Sequence, residues 1–263
     1  MKVRIISAIV VAAIAIPLAL IGGWPFIILV ALLSLMAFKE LMDLKESHRP
    51  YPTLIVIMGI ILLLSLIFTN FKSKNLLLSF PFQRLLLFSL IILLSSVFWN
   101  KNKYDTNDAL YLIGITFLIG ISFNLLIVLR LSSLYDFIYV VAIPILTDIF
   151  AYFGGTLLGK HKMCEKLSPS KTWEGAFIGL IFGTVGGILI YTFLIGKLSL
   201  GLVVFTAFLS IVGQLGDLFF SKIKRENKIK DFSNLIPGHG GILDRMDSVI
   251  FVVIAYFALL FLI

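Results

Sequence analysis

Residues 109–129 read ALYLIGITFLIGISFNLLIVL, a run of apolar and small polar side chains without a single charge. A helix needs about 20 such residues to cross the hydrocarbon core of a bilayer. In lipid, every backbone N–H and C=O group must be bonded within its own segment. This run therefore predicts a transmembrane helix, and the rest of the chain repeats the pattern between polar, Gly or Pro breaks.

Nine apolar segments can be marked in this way along the 263 residues. They are Ile5–Ile21, Pro25–Phe38, Leu54–Thr69, Phe82–Trp99, Ala109–Leu129, Leu134–Phe153, Ala176–Leu194, Leu198–Phe220 and Met246–Ile263. The chain is 60% hydrophobic, 14% charged and has a mean hydropathy of +1.08. A soluble domain cannot hide that much apolar surface. We predict an all-α fold, a polytopic transmembrane helical bundle of about nine spans.

Positive charge predicts the orientation of these spans. With the N-terminus in the cytoplasm, most of the 22 Lys and Arg residues fall in cytoplasmic loops, as the positive-inside rule requires. The net charge of +8 then indicates anionic lipid or a phosphate ligand rather than nucleic acid. The single cysteine, Cys164, excludes an internal disulfide framework.

Polar residues divide the chain into two predicted regions. Residues 1–130 are N-terminal transmembrane helices with short loops, and residues 131–263 form a C-terminal catalytic transmembrane region. Asp148 and Asp217 fall within or at the end of apolar segments of the second region. An ionisable group there costs several kcal/mol unless it is paired, hydrated or bound to a metal. The alternative is that each carboxylate simply reaches interfacial water.

The densest polar stretch precedes and enters the last apolar segment. Asp244 and Asp247 are three residues apart and share one helix face, where a divalent cation would relieve their repulsion. Asp217 could complete the cluster, and the Gly-rich turn 237–241 offers backbone N–H groups to phosphate. Acids for Mg²⁺ beside bases for phosphate favour phosphoryl or nucleotidyl transfer. The alternative is that the aspartates favour the helix dipole and the lysines anchor the helix in the membrane.

A second polar loop reads Ser168-Pro169-Ser170-Lys171-Thr172-Trp173-Glu174-Gly175. Lys171 and Thr172 can hold phosphate oxygens just before the N-terminus of a helix. Trp173 has two interpretations, an interfacial anchor or a surface on which a base stacks.

Together these motifs resemble the signature of the phosphatidate cytidylyltransferases, also called CDP-diacylglycerol synthases. The resemblance covers roughly residues 148–247. Its motifs are Asp148-x-x-Ala151-Tyr152-Phe153, Gly159-Lys160, Ser168 to Gly175, Ser221-x-x-Lys224-Arg225, Lys230-Asp231 and Pro237-Gly238-His239-Gly240-Gly241-Ile242-Leu243-Asp244-Arg245-Met246-Asp247. One departure is Ser170, where the family usually has a second Lys.

The resemblance implies that CTP and phosphatidic acid react to give CDP-diacylglycerol and pyrophosphate. It also implies dependence on Mg²⁺, with a second cation left open, a homodimer, and an active site that faces the cytoplasm from a bacterial inner membrane. Nucleic acid is not an expected partner.

From the motifs and this resemblance we assign hypothetical roles to individual residues. Expected catalytic residues are Asp217, Asp244, Lys224, Arg225 and Arg245. Expected metal ligands are Asp217, Asp244 and Asp247. Expected substrate-binding residues are Asp148, Ser168, Lys171, Thr172, Lys230, Asp231, His239, Gly240 and Gly241.

Three other classes compete with this interpretation. A cation-coupled transporter would spread its acids along a path across the bilayer, whereas this sequence collects them at one face. A CDP-alcohol phosphotransferase would carry a D-G-x-x-A-R motif, which is absent. A purely structural membrane scaffold leaves the final loop unexplained.

Overall fold

The fold is mostly helical in the computed structural model, which describes residues 2–46, 50–69, 82–99, 103–165 and 167–260. Nine helices occur in these ranges. They are α1 (Lys2–Ile21), α2 (Gly23–Glu46), α3 (Thr53–Ile67), α4 (Phe82–Ser95), α5 (Thr106–Ser132), α6 (Leu134–Leu158), α7 (Trp173–Leu194), α8 (Leu200–Glu226) and α9 (Leu243–Leu259). Each of the nine predicted apolar segments therefore corresponds to a helix.

Five of the helices in the described ranges are long and apolar enough to cross a membrane. They are Gly23–Leu44 within α2, and the whole of α5, α6, α7 and α8. This agrees with a helical membrane protein, while the count of about nine spans stays a prediction. The end of the ninth predicted span, residues 261–263, lies outside the described residues, as do Arg49, Lys72, Lys74, Lys101 and Lys166 from the charge pattern.

Several helices continue beyond the apolar runs that predict them. The predicted second span ends at Phe38, yet α2 continues to Glu46. The predicted eighth span ends at Phe220, yet α8 continues to Glu226. Lys and Glu are good helix formers, so a charged residue ends an apolar run without ending the helix.

The chain divides into two compact units. The first unit contains Met1–Val128 together with Phe232–Ile242, so the loop before α9 packs with the N-terminal helices. Inside this unit, side chains bond to the main chain of other helices: Asn124 Nδ2 donates to the Ile67 carbonyl at 2.7 Å, and Tyr111 Oη donates to the Leu41 carbonyl at 2.8 Å. The sequence-based division after residue 130 is of another kind, since it separates a predicted catalytic region from the N-terminal helices. It stays a prediction.

The second unit contains Leu129–Asp231 and Leu243–Ile263. Its helices α6 and α7 approach closely because Gly175, Gly179 and Gly183 recur every fourth residue along one face of α7. Small residues at this spacing let two membrane helices come into backbone contact. Hydroxyl pairs join α6 to α8, with 2.8 Å between Thr147 Oγ1 and Ser210 Oγ.

A short hairpin interrupts the helical pattern between α6 and α7. Strand β1 (Lys162–Cys164) pairs antiparallel with β2 (Ser168–Thr172). The sequence predicts only a loop here. The hairpin brings β2 to the N-terminus of α7, where the Thr172 side chain accepts a hydrogen bond from the Gly175 N–H at 3.2 Å.

Candidate active site

The second unit contains a polar cavity of about 560 Å³, lined by α6, the hairpin, α7, α8, α9 and the segment after α8. The cavity brings together most of the residues that the sequence predicts for the site. Those in its wall are Asp148, Lys171, Thr172, Asp217, Lys224, Asp231, Asp244, Arg245 and Asp247. These residues are up to 99 positions apart in sequence, yet they line the same cavity.

Two ion pairs inside the cavity join lysines to the central aspartates. Lys171 Nζ lies 2.6 Å from Asp217 Oδ2, which links β2 to α8. Lys224 Nζ lies 2.7 Å from Asp244 Oδ1, which links α8 to α9. The Lys224 and Asp244 side chains are only 12% and 3% exposed. A pair so shielded from water is far stronger electrostatically than a surface pair, and it fixes both side chains.

Ser248 joins two further carboxylates of the cavity. Its backbone N–H donates to Asp247 Oδ1 at 2.8 Å, and its hydroxyl lies 3.4 Å from Asp148 Oδ2 as a donor. Ser248 is buried in the first turn and a half of α9. The sequence does not predict Ser248 as a site residue, because Asp148 is 100 residues away and no local pattern connects the two.

The hairpin is held against the start of α7 by Glu174. Its carboxylate lies 2.6 Å from His161 Nδ1 and accepts the backbone N–H groups of His161 and Lys160 at 3.2 Å. Gly155 and Gly175 let α6 and α7 meet beside this point, where a Cβ on Gly175 would collide with the Ala151 carbonyl oxygen. These contacts fix the backbone on which Lys171 projects toward Asp217.

Three predicted residues of the second unit lie outside the cavity wall. The Arg225 guanidinium donates to two backbone carbonyls, that of Leu167 at 3.1 Å and that of Ile229 at 3.0 Å. Ser168 lies in β2 with its hydroxyl 3.4 Å from that of Ser170, and Lys230 is exposed. Arg225 therefore braces the hairpin and the segment that follows α8, and the predicted phosphate-binding roles of these three residues stay predictions.

The remaining predicted residues, His239, Gly240 and Gly241, belong to the loop in the first unit. Their backbone forms a tight turn, with the His239 N–H donating to the Ile236 carbonyl at 2.8 Å. Gly238 and Gly240 have φ angles of 76° and 82°, a region that favours glycine. Their role in substrate binding also stays a prediction.

The donor chemistry of the cavity is suited to a divalent metal. Five aspartates and four cations line it, so its wall is not positively charged overall. A nucleoside triphosphate would add further negative charge, which oxygen-liganded Mg²⁺ ions commonly neutralise. In the part of the chain that the structure describes, however, no three His, Cys, Asp or Glu side chains are already arranged as a metal cluster. Two of the aspartates, Asp217 and Asp244, are instead paired with lysines.

An apolar groove of about 200 Å³ adjoins the polar cavity and shares Met163, Ala176 and Gln214 with it. Trp173 and Phe177 line the groove, with their ring centroids 6.4 Å apart. Trp173 is absent from the wall of the polar cavity, which favours the anchor interpretation over base stacking. The unit thus places a cavity lined by charged side chains directly beside an apolar groove, a combination that suits an amphiphilic molecule.

Comparison with known proteins agrees with the motif resemblance. The family model described as "Cytidylyltransferase family" matches residues 2–263. Three similar proteins are named phosphatidate cytidylyltransferase. They come from Staphylococcus haemolyticus (36% identical over 255 residues), Staphylococcus saprophyticus (34% over 258) and Staphylococcus aureus strain COL (33% over 254), each match covering 96% of both chains. Since the match extends over nearly the whole length, the chain belongs to the cytidylyltransferase family.

Proposed function

We propose that this chain transfers CMP from CTP to phosphatidic acid, giving CDP-diacylglycerol and pyrophosphate. The observation that carries the proposal is the composition of one cavity. Five aspartates, three lysines and an arginine line one cavity of about 560 Å³, and an apolar groove adjoins it. Relatives that carry the name of this activity match nearly the full chain.

The reaction needs one bond to form and one to break. A phosphate oxygen of phosphatidic acid attacks the α-phosphorus of CTP, the bond from that phosphorus to the β-phosphate bridge breaks, and pyrophosphate leaves. The attacking oxygen is already anionic, so little general base catalysis is required. Positioning and neutralisation of charge therefore supply most of the rate enhancement.

The cationic side chains of the cavity would hold the triphosphate. Lys171, Lys224 and Arg245 supply donors from three different elements, so they can contact a triphosphate from several sides. Each lysine now bonded to an aspartate would exchange that partner for phosphate oxygens. The released carboxylates of Asp217 and Asp244 would then be available as metal ligands.

We propose Mg²⁺ as the cofactor, held by Asp217, Asp244 and Asp247. When bound, Mg²⁺ polarises phosphoryl oxygens and stabilises the charge on the departing pyrophosphate. Ser248 orients two carboxylates of the cavity, since its backbone N–H donates to Asp247 and its hydroxyl donates to Asp148. A second cation is compatible with the excess of aspartates in the wall.

The lipid substrate would keep its acyl chains in an apolar environment. The groove lined by Trp173 and Phe177 suits one chain, while the phosphate headgroup reaches the polar cavity through the wall that the two spaces share. Burying each additional CH₂ group is worth about 0.8 kcal/mol, so a long chain can supply much of the lipid affinity.

We also propose the membrane arrangement that the charge pattern predicts. The chain would cross a bacterial inner membrane about nine times with its N-terminus in the cytoplasm, and the cavity would face the cytoplasm, where CTP is found. A homodimer is the proposed assembly on the basis of the family resemblance alone.

The test is pyrophosphate release by protein purified in detergent with CTP, phosphatidic acid and Mg²⁺. Each component is omitted in turn, and the lipid product is identified by its mass. We expect release only when all three are present, together with CDP-diacylglycerol. Well-folded protein that releases no pyrophosphate with several detergents and lipids would refute the proposal, and ion flux in liposomes would then test the transporter alternative.

A further inference from the structure

Glu40 is a buried acid of the first unit that the proposed reaction does not use. It lies near the end of α2, and only 4% of the residue is exposed. Removing a carboxylate from water costs several kcal/mol unless hydrogen bonds replace its hydration. An acid at this position therefore needs a structural reason.

The partners of Glu40 lie at the two ends of the loop Phe232–Ile242. Its Oε1 atom accepts the Ser233 hydroxyl at 2.6 Å and the Ile242 backbone N–H at 2.8 Å. These donors are nine residues apart in sequence, so one carboxylate oxygen closes the loop. Phe232 and Ile242 are themselves buried, which holds both ends against the same unit.

The neighbouring residue, Gly241, leaves space for this carboxylate. A Cβ added to Gly241 would collide with the Glu40 side chain. Its φ angle is not in the left-handed region, unlike those of Gly238 and Gly240. The absence of a side chain at residue 241 is therefore explained by the approach of Glu40 and not by the backbone conformation.

Ser7 of α1 holds the middle of the same loop. Its hydroxyl donates to the Pro237 carbonyl at 3.0 Å and lies 2.8 Å from His239 Nδ1. A hydroxyl has one hydrogen, so His239 Nδ1 donates to the oxygen when that hydrogen is directed at the carbonyl. The loop is thus fixed by α2 at its ends and by α1 at its turn.

We propose that Glu40 is a positioning residue for the active site. Ile242, whose N–H it accepts, directly precedes Leu243, the first residue of α9. Asp244 and Arg245 follow at once, so the backbone that Glu40 fixes is the backbone from which the first turn of α9 starts. This inference rests on the proposed function, and it gives a residue of the N-terminal helices an indirect part in nucleotide binding.

Kinetics of three variants in detergent test the proposal. Glu40→Ala removes the acceptor, Glu40→Gln keeps an acceptor oxygen without the charge, and Asp43→Asn removes an exposed acid from the same helix as the control. For Glu40→Ala we expect a raised KM for CTP, kcat/KM for CTP lower by about 10- to 100-fold, and an unchanged KM for phosphatidic acid. Glu40→Gln should recover most of the activity, and Asp43→Asn should match the wild type.

If Glu40 only stabilises the fold, we expect a different change in the kinetic constants of Glu40→Ala. If Glu40→Ala only lowers the fraction of folded protein, apparent kcat falls while KM stays the same for both substrates. That pattern, or a Glu40→Gln variant no better than Glu40→Ala, would overturn the proposal.

A double-mutant cycle tests the contact itself. Gly241→Ala should reduce activity in the wild type because its methyl group meets the carboxylate, and should reduce it much less in a Glu40→Ala background. Strictly additive losses would contradict the contact.

Hydrogen exchange separates this proposal from the proposed function. In protein without substrates, Glu40→Ala should speed amide exchange in residues 232–242, while Asp43→Asn leaves it unchanged. Unchanged exchange in Glu40→Ala overturns the positioning role even if the wild type is active. Faster exchange in Glu40→Ala, together with a wild type that proves inactive, would support the contact and refute only the proposed reaction.

Discussion

Two lysines of α8, Lys222 and Lys224, have the same charge and very different surroundings. The Lys224 side chain is 12% exposed and pairs with Asp244 at 2.7 Å. The Lys222 side chain is 60% exposed and lies 3.7 Å from Glu226. An exposed pair of the second kind contributes about 0–1 kcal/mol, whereas a shielded cation can stabilise developing charge effectively.

Because Lys224 and Lys222 differ in burial but not in charge, substituting each of them gives a matched pair of variants. We expect Lys224→Gln to lower kcat/KM for CTP by about 100-fold, because it removes a fixed donor from the cavity. Lys222→Gln should stay close to the wild type. Steady-state kinetics on equally folded proteins measure the difference, and equal losses in the two variants would show that the cavity lysine has no special role.

Asp244 gives a second prediction at this scale. Asp244→Asn keeps the size of the side chain but removes the charge that pairs with Lys224 and that would bind a metal. We expect activity to disappear and Mn²⁺ affinity, measured by paramagnetic resonance in the presence of CTP, to fall by at least about tenfold. Circular dichroism should show a helical content like that of the wild type. Full turnover by this variant would rule out the metal assignment.

At the residue level, the sequence predicts charged groups better than their partners. Asp217 is identifiable because an acid is costly at the end of an apolar segment, and Asp244 and Asp247 are identifiable because their three-residue spacing puts them on one helix face. Ser248 and Glu40 are not identifiable from the sequence. The contacts that indicate their roles are with residues at least 100 positions away. The pairing of Lys171 with Asp217 has the same origin, since only the fold brings β2 to α8.

Among the elements, α6 and α7 pack so closely that one added methyl group would disturb their contact. A Cβ on Gly179 would lie 2.7 Å from the Thr147 carbonyl oxygen and 2.8 Å from the Ala151 Cβ. Both neighbours belong to α6, so the helices would have to separate. By contrast, a Cβ on Gly114 of α5 would meet no heavy atom within 4 Å.

We therefore predict opposite effects of the same substitution at these glycines. Gly179→Ala should destabilise the protein by about 1–3 kcal/mol, as overpacking does. Gly114→Ala should be neutral or stabilising by up to about 1 kcal/mol, because alanine favours the helix. Thermal unfolding in detergent gives the midpoint for each variant. Equal midpoints would mean that α6 and α7 do not pack as closely as the structure places them.

The elements themselves are predictable to different degrees. The helices follow from long apolar runs, which in lipid have few alternatives to helix. The ends are less certain, as α2 shows by continuing eight residues past Phe38. The hairpin is missed because β1 and β2 span only three and five residues, too few for an alternating pattern to stand out.

For the whole molecule, the balance of charge in the cavity predicts a requirement for divalent metal. Five aspartates face four cations before any substrate binds, so a triphosphate cannot be neutralised by the protein alone. We expect a chelator to abolish activity and excess Mg²⁺ to restore it, while Na⁺ at the same ionic strength does not. Undiminished turnover in the presence of the chelator would contradict this account.

The proposed reaction requires that the phosphorus atom transferred to the lipid is the α-phosphorus of CTP. The most direct measurement supplies CTP labelled with ³²P at either the α or the γ position and follows the label into lipid and pyrophosphate. We expect α-label in CDP-diacylglycerol and γ-label in pyrophosphate, with neither transfer in Asp244→Asn. Label from the γ position in the lipid, or none from the α position, would contradict the proposed reaction.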